Sequence, residues 1–447
     1  MDTCWRAYQK RLQKPGPPQR GWVFGLFIVA VVGVLLLWDP LLRDQTQGGT
    51  PISLQVPSRT PWTLESEEVR FGRDFNPSFQ TMEGGRFVES LDERTRVVYT
   101  VDPVLQREME DLFARYDVPY GVFVAMDPES GRILALVEHS SDDPTQRHLA
   151  LRATYPAASI FKLVTAAAAI EKGKADPGTV IRFRGGLYDM NPNYWRDNPK
   201  RDRNKITLQD ALAKSCNVAF AKVALRWLKA PDLRNYAALF GFNREMDFEI
   251  PADRSAARIP QDEKSLAMAA AGFGEVGLSP LHGAMIASMI ANGGVMMAPR
   301  LVEKVIRDGE EVYTLKEKVV GRSLRPETAE ALGKMMTRTI TKGTSRHAFS
   351  QWSNTPDLHE IPVGGKTGSL EGANPPGDYN WFVGMAPIGG AKIAVAALVI
   401  NHEVWRIKAS YVAREGLRTY FQKSSRPVSI PVISQNPAAG SGSGSRG

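Results

Sequence analysis

Hydrophobic positions fall into clear periods along much of the chain. From Asp102 to Tyr116 (DPVLQREMEDLFARY), apolar residues at 104, 105, 109, 112 and 113 trace one helical stripe, opened by Asp-Pro. Tyr120 to Val137 (YGVFVAMDPESGRILALV) reads as two β-rich runs around DPESG, a hairpin. Asn380 to Asn401 (NWFVGMAPIGGAKIAVAALVIN) repeats that pattern around IGG, and residues 409–421 return to helical spacing. The stretch 157–349 between them is helix-rich. Strands first and last, with helices between, predict an α+β domain: one antiparallel sheet packed with helices, plus an all-helical lobe. Residues 60–95 are short and mixed and take no assignment.

One run has no period. Gly21 to Trp38 (GWVFGLFIVAVVGVLLLW) carries no charge and has a tryptophan near each end. As a helix it spans about 27 Å, close to the hydrocarbon thickness of a bilayer. No small-x-small cleavage site follows it, so a retained single-span anchor is expected over a cleaved signal. The chain then divides into a basic arm (1–20), the anchor (21–38), a linker or short stalk (39–95), one large domain (96–425) and a loose Gly/Ser tail (426–447).

Charge supports that division. The 447 residues hold 56 Lys+Arg against 48 Asp+Glu, a net +8. Residues 1–20 carry five basic residues and one acidic, half of the excess. That places the N-terminus in the cytoplasm and the large domain outside the cytoplasmic membrane, and removes the argument for nucleic acid. Cys4 and Cys216 fall on opposite sides of the anchor and cannot pair. Six histidines show no metal-ligand spacing, so neither a metal nor another cofactor is expected.

Three short motifs carry chemistry. Ser159 and Lys162, in YPAASIFKLVTAAAAIEKG, are three apart and share a helix face. A buried amine there can act as base for the hydroxyl. Ser215 and Asn217, in Ser-Cys-Asn, stand where one short helix hands over to the next. Gly364 to Ser369 (GGKTGS) places Lys366, Thr367, Gly368 and Ser369 on a strand that another backbone approaches closely. Each alone has an ordinary explanation: a surface Ser/Lys pair, a cap, a turn. Ser-x-x-Lys, then Ser-x-Asn 56 residues on, then Lys-Thr-Gly 151 further, is a much rarer combination.

On these residues the chain resembles the transpeptidase domain of class B penicillin-binding proteins, over about 97–420. GFGEVGLSPLHGAMIASMIANGG and Asn380-Trp381-Phe382-Val383-Gly384 extend the likeness. The resemblance implies a β-lactamase/transpeptidase-like fold and D,D-transpeptidation of peptidoglycan stem peptides ending in D-Ala-D-Ala. It implies Ser159 as nucleophile, Lys162 as its base, and Ser215 as proton relay. Asn217 would contact the substrate amide, Lys366 would orient Ser215, and Thr367 and Ser369 would hold the terminal carboxylate. The backbone N–H groups of Ser159 and Ser369 would form the oxyanion hole. It also implies acylation by β-lactams and a membrane glycosyltransferase as partner. The sequence departs from the family at three places: Ala158 stands where glycine is usual, Glu275 where glutamine is, and 39–95 is short for a pedestal.

Three other functions stay open: a D,D-carboxypeptidase, a class D-like β-lactamase, and a β-lactam receptor without turnover. Gly272 to Gly277 (GFGEVG) matches a dinucleotide fingerprint but follows SLAMAAA rather than a strand, so it is set aside. Arg196 to Lys205 (RDNPKRDRNK) has a net +3 and reads as a solvated loop, or as a site for an acidic polymer.

Overall fold

The computed structural model describes residues 62–65, 68–352, 355 and 358–423. The basic arm, the apolar run 21–38, the linker before 62 and the tail 426–447 lie outside them. Among the described residues no helix is long and apolar enough to cross a membrane.

Strands β1 (Trp62–Glu65) and β2 (Glu68–Phe71) pair as a ribbon, followed by β3 (Met82–Glu83), β4 (Arg86–Ser90) and β5 (Thr95–Tyr99). Helix α1 (Pro103–Arg115) then starts where Asp102 accepts hydrogen bonds from the N–H groups of Val104 and Leu105, with Pro103 at the first helical position. Its stripe buries Leu105, Met109, Leu112 and Phe113, while Val104 stays on the outer face. The hairpin β6 (Tyr120–Met126) and β7 (Ile133–His139) turns on Asp127, whose Oδ1 accepts from the N–H groups of Glu129 and Ser130.

The middle of the chain holds α2 (Lys162–Glu171), the ribbon β8 (Val180–Phe183) with β9 (Asn204–Thr207), then α3 (Leu208–Ala213), α4 (Asn217–Trp227), α5 (Ala230–Leu239), α6 (Glu263–Ala270) and α7 (Pro280–Ala291). Next come β10 (Val295–Met297), β11 (Val302–Arg307), β12 (Glu310–Thr314), β13 (Val319–Arg322) and α8 (Pro326–Thr341). The chain closes with β14 (Gly364–Ala373), β15 (Pro376–Ala386), β16 (Ile393–Asn401) and α9 (Ala409–Lys423).

The main sheet is antiparallel, in the order β14-β15-β16-β6-β7. All nine residues of β16 are buried. The reason is two-sided cover: α7 packs on one side, and α9 with α1 on the other. The expectation of one sheet is corrected. A second five-stranded sheet, β12-β11-β5-β4-β3, joins residues 82–99 to residues 302–314, and 157–349 contains strands as well as helices. The two halves of this sheet are some two hundred residues apart, and no local period reveals such a pairing.

The basic loop 196–205 is pinned from beneath. Asp202, 3% exposed, accepts from Lys222 Nζ of α4 at 2.6 Å, and Asp197 bonds both Lys222 and Arg226. Asp202 therefore faces inward, while Lys200, Arg201, Arg203 and Lys205 are exposed.

Candidate active site

Three segments, far apart in sequence, meet at the end of α2. The first is a 3-10 turn, Ala158–Phe161, leading into α2. Pro156 is held by the indole N–H of Trp381, which donates to its carbonyl at 2.9 Å, and the Ala157 N–H donates to the Val276 carbonyl at 2.9 Å. Ala158 is at φ +49°, in the left-handed region where glycine is most at ease. This accounts for the glycine usual at that position.

Ser159 Oγ accepts from Lys162 Nζ at 2.6 Å, and Lys162 is 0% exposed. Its amine also bonds Asn217 Oδ1 at 2.9 Å and the Ala271 carbonyl at 2.6 Å. None of these three partners is a carboxylate. Burial pulls the Lys162 pKa from its usual value to about 7, with no carboxylate in its hydrogen-bond shell to offset the desolvated charge.

The Ala271 carbonyl is available for a structural reason. Helix α6 ends in paired closing bonds, Phe273 N–H to Met268 O and Gly272 N–H to Ala269 O, with Gly272 at φ +91°. The next carbonyls, at Ala270 and Ala271, point to α2, where Thr165 Oγ1 takes the first and Lys162 the second. A Cβ on Gly272 would lie 2.3 Å from the Ala158 carbonyl and 2.9 Å from Ser159 Cα. The GFGEVG segment is thus the floor under the nucleophile turn, not a nucleotide loop.

The second segment links α3 to α4. Cys216 N–H bonds Ala211 O and Ser215 N–H bonds Leu212 O, the same closing pattern, with Ser215 at φ +57° in the position that usually takes glycine. Asn217 opens α4. Its Nδ2 donates to the Tyr188 carbonyl at 3.0 Å and its N–H to the Leu187 carbonyl at 2.7 Å. Its amide therefore braces Lys162 in this structure, a role that sequence reasoning missed.

The third is β14, the edge strand of the main sheet. Lys366, 0% exposed, donates to Ser215 Oγ at 3.1 Å and to the Thr367 carbonyl at 2.6 Å. Its pKa lies well below the usual lysine value, through burial first and the nearby Lys162 second. Thr367 and Ser369, two apart, share a strand face. A Cβ on Gly368 would lie 3.3 Å from Ala158 Cβ and 3.4 Å from the Ala157 carbonyl, so β14 runs directly against the nucleophile turn. Ser159, Lys162, Ser215, Asn217 and Lys366 thus form two hydrogen-bonded groups, Ser159–Lys162–Asn217 and Lys366–Ser215, close enough for Lys162 to depress the Lys366 pKa. Among the described residues, no group of three or more His, Cys, Asp or Glu converges as a metal site.

A serine hydroxyl on a buried amine of pKa about 7, faced by a second lysine–serine pair, defines a serine acyl-transfer site. The pattern of the penicillin binding protein transpeptidase domain matches residues 121–418, and the chain belongs to that family. Among curated relatives, the peptidoglycan D,D-transpeptidase PbpA of Mycobacterium tuberculosis is 30% identical over 342 residues, 68% of this chain and 66% of that protein. Stage V sporulation protein D of Bacillus subtilis is 24% identical over 333 residues, 70% of this chain and 50% of that protein. The match thus spans from half to about two thirds of these relatives' length. The crystal structure of PBPA from M. tuberculosis superposes with a TM-score of 0.60 at 26% identity, covering 72% of this chain and 81% of that one. Its imipenem acyl-enzyme complex superposes at 0.58 with 27% identity, covering 72% and 79%.

Proposed function

We propose that this protein is a membrane-anchored serine D,D-transpeptidase that cross-links peptidoglycan stem peptides, and that β-lactams acylate the same serine. The observation that carries the reading is the 2.6 Å bond between Ser159 Oγ and the fully buried Lys162. In the first step neutral Lys162 takes the Ser159 proton as Oγ bonds to the carbonyl carbon of D-Ala-D-Ala. The N–H groups of Ser159 and Ser369 receive the negative oxygen. As the peptide C–N bond breaks, the proton returns through Ser215, held by Lys366, to the departing D-Ala amine. Thr367 and Ser369 hold the terminal carboxylate, and Asn217 meets the substrate amide. An amine of a neighbouring stem peptide then attacks the ester carbonyl. A new C–N bond forms, the Ser159 ester breaks, and the serine regains its proton. The mycobacterial relative, a peptidoglycan D,D-transpeptidase, and the imipenem acyl-enzyme complex of the M. tuberculosis structure support this route. The apolar run 21–38 after a basic arm supports an anchor with the catalytic domain outside the cytoplasm.

The test is to incubate the full chain with a labelled penicillin and map the adduct by mass spectrometry. One label on Ser159, absent in Ser159→Ala, is expected. Labelling elsewhere, or undiminished in Ser159→Ala, rejects the mechanism. Steady hydrolysis of a cephalosporin would instead favour a β-lactamase.

A further inference from the structure

The two hydroxyls on β14 are each held from behind. Thr367 Oγ1 lies 2.5 Å from Thr344 Oγ1, in the turn after α8. Ser369 Oγ accepts from Asn380 Nδ2 at 3.1 Å, across the β14–β15 register. Asn380 Oδ1 accepts from the N–H of Ala409 at 2.7 Å, at the start of α9. The next residue, Ser410, bonds Ser345 through its Oγ at 2.9 Å, and Ser345 follows Thr344. The circuit closes on itself, running from Thr367 through Thr344, Ser345, Ser410, Ala409 and Asn380 to Ser369. Its inner members are sealed from water: Ser345, Ser410 and Asn380 are 1%, 6% and 7% exposed.

The same turn grips the other wall of the cleft. Thr344 N–H donates to the Ala213 carbonyl at 3.1 Å, and a Cβ on Gly343 would lie 2.2 Å from that oxygen. Ala213 precedes Ser215 by two residues. Thr344 therefore fixes β14 and the Ser215 turn relative to one another.

The polarity of the circuit has a chemical consequence. The Ala409 N–H can only donate, so it orients the Asn380 amide with its NH₂ toward Ser369. Ser369 Oγ accepts at its back, and its own O–H is left for the cleft. Thr367 has one O–H, and an anionic carboxylate only accepts. If Thr367 spends that hydrogen on a ligand carboxylate, its oxygen must accept from Thr344. A hydroxyl that already accepts a hydrogen bond is the stronger donor.

We infer that Thr344 is a positioning residue for carboxylate recognition: it donates to Thr367 and thereby turns the Thr367 hydroxyl into a donor toward the ligand. The inference rests on the reading above, in which Thr367 holds the terminal carboxylate.

The experiment measures second-order acylation of the full chain by benzylpenicillin and by its methyl ester, which lacks the carboxylate charge. Thr344→Val is expected to lower the acid-to-ester rate ratio about 10-fold, the loss of one hydrogen bond to a charged group. Thr344→Ser, which keeps the hydroxyl, is expected to restore the ratio to within about two-fold of the parent. The ratio is read within one protein, so an unfolded fraction lowers both rates alike and cannot mimic this result. Equal losses for acid and ester, or a ratio lost equally in Thr344→Ser, overturn the inference. Thr367→Val separates the two levels. If it lowers the ratio while Thr344→Val does not, the Thr344 inference alone falls. If it leaves the ratio unchanged, the carboxylate reading of Thr367 falls, and the inference with it.

Discussion

Lys162 shows how burial makes a base. Its amine has three hydrogen-bond acceptors and no counter-ion, so it keeps its partners and loses its charge near neutrality. The end of α6 supplies one of those carbonyls, and the negative pole of a helix favours a cation. Burial outweighs it. The direction of the pH effect follows. Only the neutral amine accepts a proton, and its fraction rises with pH, so acylation should climb through about pH 7 and level off above it. Lys162→Met should lower the acylation rate by roughly 10²–10⁴-fold and remove that rise. A stopped-flow profile with a fluorescent penicillin between pH 5.5 and 9 checks both. A flat parent profile, or a rise that survives in the variant, assigns the titration to another group. The types and spacing of Ser159, Lys162, Ser215, Asn217 and Lys366 were legible in the sequence. Thr344 and Asn380 were not legible as supports, since a threonine in a turn and an asparagine in a strand carry no local sign of what they face.

At the scale of elements, the site is built from helix ends. Both α6 and α3 close with the same bonding pattern, but glycine takes the left-handed position in one and Ser215 in the other. A serine there costs on the order of 1–3 kcal/mol and is tolerated where the surroundings fix it. Lys366 provides that restraint from β14. Gly272 cannot be exchanged so easily, having φ +91° and backbone atoms of Ala158 within 2.6 Å of where a Cβ would sit. Gly272→Ala should destabilise the fold by about 2 kcal/mol or more, and should push the nucleophile turn off its position. Denaturant unfolding and labelling at Ser159 are the two measurements. A variant with parental stability and parental labelling would show that the floor under Ser159 is pliable. The helix and hairpins at 102–137 and 380–421 were readable because their apolar periods are local. Strand β5 was not, because so short a run is placed by its pairing with β11, which lies far along the chain.

At the scale of the molecule, the second sheet makes residues 82–99 matter to the fold. Phe87, Val97 and Tyr99 are fully buried there, and Phe79 packs edge-on to Tyr99 at 5.3 Å. Burial of one such aromatic is worth roughly 1.5–3 kcal/mol. A chain starting at Thr60 should therefore unfold cooperatively and acylate like the full chain, while one starting at residue 96 should aggregate. If 21–38 is the anchor, the full chain sediments with membranes and the chain from Thr60 stays in the supernatant; equal sedimentation of both rejects it. Circular dichroism melts and fractionation decide these outcomes. By itself the sequence determined the chemistry at hand, a hydroxyl beside an amine in a rare set of three motifs, and the local elements whose periods repeat every two or 3.6 residues. Only the tertiary structure decided the pKa of Lys162, the bracing role of Asn217, and the closed circuit from Thr367 to Ser369. Those depend on desolvation and on contacts between residues up to about a hundred positions apart, and neither quantity is written in any local stretch of chain.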